Sequence, residues 1–380
     1  MKTQLLLLFM LITSFLSAQR LQPNFDKYEY IEMLKIIRMA HTPRGDSVPR
    51  LKIRSEYLAL AQESTMPEPQ DYRFAYRTPL VAFHNGGDLW IHQSKPIAVI
   101  VIRGTIPTET SFLANAYAAM LPAIGEISLQ NDSVFHYKLA SDSMAAVHAG
   151  YLIATAHLAS YFVHQIDSCY KNGIKDFIIT GHSQGGGISY LLTAYLKNLQ
   201  LDEKLPQDIQ IKTYCSAAPK PGNLFFAYDF ELASAGGWAY SVVNIDDWVT
   251  DVPFTIQTVE DLPEENPFKY RKVILKDEKL SKKSVVRIFY NQLDRPSQFA
   301  QRRYNRYLGK VVSIAVKKKI SGFKSPKDYR STYYVRTVNI IVLRGDAAYY
   351  ERFKNLDPMF AVWQHRMLSN YIYLTLKSPY

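Results

Sequence analysis

The chain of 380 residues has only two cysteines, Cys169 and Cys215. Two are too few for a disulfide-stapled miniprotein or a zinc ribbon, and in an oxidising compartment they could either pair or remain free thiols. The metal-binding patterns H-x-x-H and H-E-x-x-H are absent, and the triple glycine at residues 185–187 lacks the G-K-[ST] ending of a phosphate-binding loop. We therefore expect neither a metal nor another cofactor.

Acidic residues are scarce relative to basic ones, with 34 Asp and Glu against 45 Lys and Arg and a formal net charge of +11. Charged residues make up only 21% of the chain and hydrophobic ones 47%, which excludes a disordered or low-complexity protein. The length allows one large globular domain or two smaller ones with an ample core. The positive net charge makes nucleic acid and anionic membranes candidate partners, and the choice depends on where along the chain the charge lies.

Long apolar runs are missing, apart from one at the N-terminus. Residues 5–16 are almost wholly apolar, follow a short basic segment, and precede the small residues Ser17 and Ala18. This pattern predicts a secretory signal peptide cleaved near Ala18, because a membrane span needs about 20 residues. An uncleaved anchor is the alternative, and the lack of a cysteine after Ala18 argues against a bacterial lipoprotein. We expect residues 19–380 to form a single domain, secreted to the periplasm or the medium.

Strand-like and helix-like segments alternate along the chain. Residues 97–102 and 177–180 are apolar at every position, as strands buried on both faces of a parallel sheet require. This alternation predicts an α/β fold with a mostly parallel central sheet flanked by helices. Further strands are expected at 79–83, 89–91, 209–216, 240–243 and 338–343, and helices at 19–69, 111–121, 144–170, 188–199, 224–234 and from 359 to the end.

Residues 181–185, Gly-His-Ser-Gln-Gly, match the nucleophile-elbow pattern G-x-S-x-G. The pattern requires an apolar strand before it and a helix after it, and both are predicted here. The sharp turn pushes the Ser183 hydroxyl out above the sheet and places the Gln184 backbone N–H where it can face a developing oxyanion. A glycine-rich structural turn is the alternative interpretation.

A serine nucleophile needs a base, and the base needs an orienting acid. On this fold the chain order is Ser, then Asp or Glu, then His. His365 alone among nine histidines follows Ser183, so it is the predicted base. Asp246, Asp247 and Asp251 all follow the expected strand at 240–243, and their spacing does not choose among them.

These motifs resemble the class 3 (fungal-type) lipase family of α/β hydrolases, in a bacterial secreted branch. The resemblance covers residues 75–255 and, more loosely, the last twenty-odd residues. It is carried by Arg103-Gly104-Thr105, His148-Ala149-Gly150-Tyr151, residues 181–186, Pro219 with Gly222 and Asn223, Asn244 with Asp247, and His365 ahead of Tyr371.

The resemblance implies an α/β-hydrolase fold, a lipase or carboxylesterase activity, Asp247 as the acid, and an oxyanion hole formed by Thr105 and Gln184. Thr250 stands where the family often has proline, which keeps Asp246 and Asp251 as weaker candidates. Residues 111–121 occupy the position of the family's lid, although an ordinary core helix would have the same apolar composition.

The excess positive charge lies in one segment. Residues 269–330 contain nineteen Lys and Arg and four acidic residues, so the rest of the chain carries a net charge of −4. We predict that residues 260–336 form a basic cap-like insertion ahead of His365. The charge fits either a solvated surface or docking on an anionic membrane through Lys269–Arg330, and the oligomeric state stays open.

Three functions fit these observations. The first is a secreted serine hydrolase acting on lipid or ester substrates through an acyl-enzyme. The second is a phospholipase A1 or lysophospholipase with the same triad. The third is a non-catalytic surface- or nucleic-acid-binding protein on a hydrolase scaffold. The basic and aromatic residues 302–307 suggest this hypothesis. The export signal and the triad count against the third, so we expect no nucleic-acid partner.

Overall fold

The computed structural model describes most of the chain: residues 20–42, 66–129, 133–270, 275–276, 279–320, 322–324, 326–354 and 358–380. The predicted signal peptide at 1–18, with the anchor as its alternative, lies outside the described residues. So does much of the helical segment predicted at 19–69. No helix in the described ranges is long and apolar enough to cross a membrane.

The strands of the described chain are β1 (Tyr72–Arg77), β2 (Gly87–His92), β3 (Ile97–Ile102), β4 (Met120–Pro122), β5 (Ile124–Ser128), β6 (Val134–Lys138), β7 (Ala146–His148), β8 (Asp176–His182), β9 (Gln210–Ser216), β10 (Ala239–Asn244) and β11 (Asn339–Leu343). The α-helices are α1 (Lys27–His41), α2 (Glu109–Ala116), α3 (Ala149–Lys171), α4 (Gln184–Leu201), α5 (Leu224–Ala233), α6 (Leu280–Phe289), α7 (Arg295–Tyr304), α8 (Val312–Lys319), α9 (Ala347–Glu351), α10 (Pro358–Gln364) and α11 (Leu368–Lys377).

The central sheet is mostly parallel, as predicted. Its seven described strands have the order β1-β2-β3-β8-β9-β10-β11. Strands β1, β2 and β3 pair antiparallel, whereas every pair from β3 to β11 is parallel. Two small antiparallel ladders, β4 with β7 and β5 with β6, lie outside this sheet.

The sheet separates two apolar cores, which explains why β3 is apolar throughout. Ala98, Ile100 and Ile102 pack on the face covered by α3, α4 and α5. Val99 and Val101 point to the opposite face, where α1 and α11 pack. Successive side chains of a strand alternate between faces, so a strand covered on both sides has no exposed position that a polar residue could occupy.

Two local predictions were wrong. Residues 79–83 do not form a strand, because Ala82–His84 is a 3₁₀ turn in which Phe83 has φ of 59°. The helix expected at 111–121 ends at Ala116, and Met120–Pro122 pairs instead with β7. A short buried apolar run has no exposed face, so its periodicity does not distinguish a helix from a strand. The antiparallel pair β5–β6 was not predicted.

The basic segment contains a long helical stretch, for which the sequence showed only helix-compatible spacing at its start. Helices α6, α7 and α8 are joined by π-helical turns at Tyr290–Asp294 and Asn305–Val311, so the backbone is helical from Leu280 to Lys319. The chain then returns along the core through isolated bridges, including Tyr329 with Met120 and Val335 with Gly222. The role of residues 260–336 as a cap stays a prediction.

The two cysteines lie in different elements, Cys169 in α3 and Cys215 in β9. Both are buried free thiols, so the disulfide that the sequence left open does not form in this structure.

Candidate active site

Ser183 lies in a tight turn between β8 and α4. Its backbone angles, φ 58° and ψ −125°, are ones that non-glycine residues rarely adopt. Neighbouring glycines make the turn feasible: a Cβ on Gly185 would lie 2.2 Å from the carbonyl oxygen of Ile102, and one on Gly181 would lie 2.4 Å from the Gly185 backbone. A strained serine between a buried strand and a helix is the geometry of a nucleophile elbow.

The two predicted oxyanion donors lie on segments that meet at this turn. Gln184 is the first residue of α4, and the first N–H groups of a helix have no intrahelical acceptor. Thr105 follows β3, the parallel neighbour of β8, and its Oγ1 accepts a hydrogen bond from Asn115 Nδ2 at 3.0 Å. Within the described residues, no hydrogen bond is found from the backbone N–H of Thr105 or of Gln184.

Helix α2 contacts both of these segments. The Nε2 of Gln184 donates to the carbonyl oxygen of Ser111 at 3.0 Å, and Asn115 makes the contact to Thr105. Asn115 is itself fixed by the Tyr151 hydroxyl, which donates to its Oδ1 at 3.2 Å. Ser183 is only 7% exposed in this arrangement.

His182, the residue before the candidate nucleophile, is hydrogen bonded through both ring nitrogens. Its Nε2 lies 2.7 Å from the carbonyl oxygen of Arg366, which can only accept, so Nε2 carries the proton. Nδ1 therefore accepts from Ser216 Oγ at 2.9 Å, and Ser216 accepts from the Tyr30 hydroxyl at 2.6 Å. Burial lowers the pKa of His182 to about 3, so the ring is neutral at pH 7. This chain of bonds joins α1, β9 and the C-terminal segment to the elbow.

Asp247 follows β10 and is only 1% exposed. Its Oδ2 accepts from the Tyr371 hydroxyl at 2.8 Å, and its Oδ1 accepts from the Val249 N–H at 3.1 Å. Burial raises the pKa of Asp247 to about 6, even though both hydrogen bonds favour the charged form. A buried carboxyl group whose pKa is strongly shifted marks a candidate functional position.

The alternative acids have different surroundings. Asp246 accepts a hydrogen bond from the Tyr350 hydroxyl at 2.8 Å. Asp251 is exposed and forms an ion pair with Arg336. Of the three aspartates, Asp247 has the buried position that an orienting acid needs.

His365 lies beside β10, and its Nδ1 is 2.9 Å from the Tyr349 hydroxyl. Asn244 Nδ2 donates to that hydroxyl at 3.1 Å and to the His365 carbonyl oxygen at 2.9 Å. The Tyr349 hydroxyl thus occupies the Nδ1 atom that a triad acid would bind. Burial lowers the pKa of His365. Within the described chain, no hydrogen bond joins His365 to Ser183 or Asp247.

The structure thus brings the candidate residues to one end of the sheet without joining them in a triad. Ser183 follows β8, Asp247 follows β10, and the carbonyl of Arg366, next to His365, contacts His182. The assigned roles stay predictions for Ser183, Asp247, His365, Thr105 and Gln184.

Helix α1 contributes a residue that the sequence analysis missed. His41 accepts a hydrogen bond from the Gly104 N–H through Nε2 at 3.1 Å and donates through Nδ1 to the Ile37 carbonyl at 2.8 Å. Burial lowers the pKa of His41 to about 4, so its Nε2 is free to accept at neutral pH. Gly104 precedes Thr105, so His41 fixes the backbone that presents one predicted oxyanion donor. No local sequence signal marks this contact, because it joins residues 63 positions apart.

No three His, Cys, Asp or Glu side chains come together as a metal site in the ranges that the structure describes.

A mostly parallel sheet in which a buried strand ends in a strained serine turn ahead of a helix defines an α/β hydrolase, as the sequence predicted. A family model described as "Lipase (class 3)" matches residues 99–257 of the chain. The match confirms the predicted resemblance to class 3 lipases over this segment, whereas the bacterial secreted branch stays a prediction. It also confirms the predicted enzyme class, a carboxylic ester hydrolase.

Similar solved structures include three fungal lipases. The mono- and diacylglycerol lipase of Aspergillus oryzae is 14% identical with a TM-score of 0.41, over 61% of this chain and 76% of that one. A triacylglycerol lipase from Penicillium expansum is 15% identical with a TM-score of 0.41, over 60% and 75%. Lipase II from Rhizopus niveus is 24% identical with a TM-score of 0.38, over 60% and 76%. No curated protein sequence matches the chain.

The contact between His41 and Gly104 predicts a kinetic defect. We expect His41→Ala to lower kcat about tenfold with little change in KM, because a displaced oxyanion donor weakens binding of the transition state more than of the substrate. His41→Gln should restore part of kcat, since its amide oxygen can accept the same bond. Steady-state kinetics on a soluble p-nitrophenyl ester measure both parameters.

His92 offers a matched control, because its Nδ1 also accepts backbone N–H groups, those of Ser94 and Lys95, at 3.1 Å. It lies at the opposite end of the sheet from Ser183, so His92→Ala should leave kcat unchanged. Equal losses of kcat in His41→Ala and His92→Ala would show that His41 has no specific effect on the oxyanion loop.

Proposed function

We propose that the protein is an exported serine hydrolase of the lipase or carboxylesterase type that cleaves acyl esters through an acyl-enzyme. The observation that carries this proposal is the strained backbone of Ser183 between β8 and α4. A turn of this kind directs a serine hydroxyl away from the strand and beside backbone N–H groups, as acyl transfer requires. The class 3 lipase match across the same residues supports an ester as the bond that is cleaved.

In the proposed mechanism, Ser183 Oγ attacks the ester carbonyl while His365 takes its proton, later returning it to the departing alcohol. Asp247 holds the imidazole with its proton on Nδ1, which leaves Nε2 free to accept. In the structure the Nδ1 of His365 is hydrogen bonded to the Tyr349 hydroxyl instead. Catalysis therefore requires the His365 ring to leave Tyr349 and turn towards Asp247.

The oxyanion of the tetrahedral intermediate would accept from the backbone N–H groups of Thr105 and Gln184. Removing one such donor typically costs about a hundred- to thousandfold in rate. Water then attacks the acyl-enzyme, with His365 again acting as the base, and the free acid is released.

Exposed aromatic side chains flank the proposed reacting groups. Phe112, which is 47% exposed, follows Ser111, whose carbonyl holds the Gln184 side chain. Trp248, which is 43% exposed, follows Asp247. Apolar surface beside a nucleophile favours an acyl chain over a polar substrate. This supports a lipid or another ester as the substrate.

A phospholipase A1 or lysophospholipase is the second candidate, favoured by the concentration of Lys and Arg in residues 269–330. The same triad would serve, and the basic segment would attract an anionic headgroup. Turnover of anionic phospholipid vesicles that exceeds turnover of triacylglycerol emulsions would favour this candidate. The reverse order would favour the lipase.

Replacing the nucleophile tests the activity itself. We expect Ser183→Ala to reduce hydrolysis of a p-nitrophenyl acyl ester by about 10⁴-fold or more, because the acyl-enzyme can no longer form. Ser168→Ala, an exposed serine in α3, is the control and should retain full activity. Undiminished hydrolysis by purified Ser183→Ala protein would contradict the proposal.

The raised pKa of Asp247 sets the acid limb of the pH profile. Below about pH 6 this carboxylate becomes protonated and no longer stabilises the charged imidazole of His365. We expect kcat/KM to fall about tenfold for each pH unit below that point. Asp247→Asn should be nearly inactive at every pH, because an amide holds the wrong tautomer.

The raised pKa of Asp247 favours activity at higher pH, but it favours the folded state at lower pH. The folded-state pKa of about 6 lies above the ordinary aspartate pKa of 3.8, so the stability linked to the bound proton is complete below about pH 4 and is lost as pH rises through 6. Asp247→Asn should therefore be more stable than the wild type at pH 8 and equally stable at pH 4. Urea unfolding at both pH values measures this, and a deficit at pH 8 would contradict it.

Export is part of the proposal. The residues just after the proposed cleavage site pack on the fold: Arg20 pairs with the buried Asp176 at 3.0 Å, and the Leu21 N–H donates to the same carboxylate at 2.7 Å. Cleavage near Ala18 would leave these contacts intact. N-terminal sequencing of protein recovered outside the cytoplasm should give a start near Gln19, whereas an intact Met1 would indicate an uncleaved anchor.

A further inference from the structure

The helical stretch from Leu280 to Lys319, called the basic helix below, has an unusual outer face. Its large apolar side chains on this face are more than half exposed, from 52% at Tyr307 and Val311 to 81% at Leu280. The set comprises Leu280, Val285, Ile288, Leu293, Phe299, Tyr307, Val311 and Ile314. So much exposed apolar surface on one element marks an interaction site rather than a surface adapted only to water.

The same helix carries a high density of positive charge. Its basic residues are Lys282, Lys283, Arg287, Arg295, Arg302, Arg303, Arg306, Lys310, Lys317, Lys318 and Lys319. Its one acidic residue, Asp294, is buried, and its carboxylate accepts from the Val259 N–H at 3.0 Å and from Gln298 Nε2 at 2.7 Å. The outer face therefore presents basic and apolar side chains together, without an acidic one.

The inner face attaches the basic helix to the rest of the fold. Tyr304 packs in a small apolar cluster with Met120 and Tyr334, and Val316 is fully buried in the core beneath α8. Helix α8 also contacts α2, with Lys319 Nζ 3.9 Å from a Glu109 carboxylate oxygen. Because these inner contacts hold the helix, the exposed side chains of the outer face are available for binding.

We propose that the outer face of the basic helix docks the protein on an anionic lipid bilayer. Lys and Arg would pair with lipid phosphates, while the interleaved apolar side chains enter the headgroup region. Each feature alone has other uses, since a purely basic face fits nucleic acid and a purely apolar face fits a protein partner. Their combination on one helix matches the requirements of an interfacial helix at an anionic membrane.

The position of the basic helix relates this docking to the candidate active site. Helix α8 packs on α2, and α2 contacts the two predicted oxyanion residues through Ser111 and Asn115. A bilayer bound at the basic helix would thus lie beside the helix that contacts Thr105 and Gln184. The functional value of docking near the candidate active site rests on the proposed ester hydrolysis. Docking itself can be measured without that activity.

Vesicle co-sedimentation of the mature Ser183→Ala protein tests the proposal, because the lipid then stays intact. We expect strong binding to vesicles containing phosphatidylglycerol, weak binding to pure phosphatidylcholine, and loss of binding as salt screens the charges. Neutralising Arg302, Arg303 and Arg306 to Gln should weaken binding to anionic vesicles about a hundredfold. Changing Phe299 and Ile314 to Ser should weaken it at low and high salt alike.

The control neutralises three exposed lysines on other elements, Lys171, Lys204 and Lys354, and should change binding less than threefold. The same sets of substitutions in protein that retains Ser183 should leave hydrolysis of a soluble ester unchanged, which verifies the fold. Equal binding to both vesicle types, or equal effects of the two neutralised sets, would overturn the docking proposal. Soluble-ester hydrolysis that does not depend on Ser183 would overturn the proposed function without touching the docking result.

Discussion

The proposed site depends on how closely α4 approaches the carboxyl ends of β3 and β8. A side chain on Gly185 would lie 2.2 Å from the Ile102 carbonyl, so the helix starts directly against the end of the neighbouring strand. That approach brings the free N–H of Gln184 towards the segment that carries Thr105. It also forces Ser183 into its strained conformation, because the chain must reverse from strand to helix within one residue. The strain at Ser183 and the placement of the two proposed oxyanion donors share this single cause.

Elements outside the segment matched to class 3 lipases complete the surroundings of this turn. Helix α1 supplies Tyr30, which begins the hydrogen-bond chain to His182, and His41, which fixes Gly104. Helix α11 supplies Tyr371, which donates to Asp247. Tyr30 and Tyr371 belong to the core on the face of the sheet opposite α3 and α4, so packing and site geometry are coupled there. Loosening α1 or α11 would disturb the candidate site before it disturbed the sheet.

Charge is distributed so that chemistry and surface contact occupy different parts of the molecule. The candidate site consists mainly of buried groups whose pKa values are shifted by desolvation, as at Asp247 and His182. The basic helix lies at the surface, and most of its basic side chains are exposed. The buried Asp247 and the charges of the proposed docking face therefore occupy separate parts of the molecule.

The sequence alone determined the parallel sheet, the elbow at Ser183 and the family resemblance, because each depends on a local pattern: fully apolar strands, glycines at fixed offsets, and a strand followed by a helix. It placed the basic segment but not its helical structure, and it misassigned residues 79–83 and 111–121, where short apolar runs fit either secondary structure. Only the tertiary structure decided that Asp247 is the buried aspartate, that His365 is bonded to Tyr349, and that His41 accepts a hydrogen bond from the Gly104 N–H. Those facts depend on contacts between residues far apart in the chain. Such contacts form only when the chain has packed into the two cores on either side of the sheet.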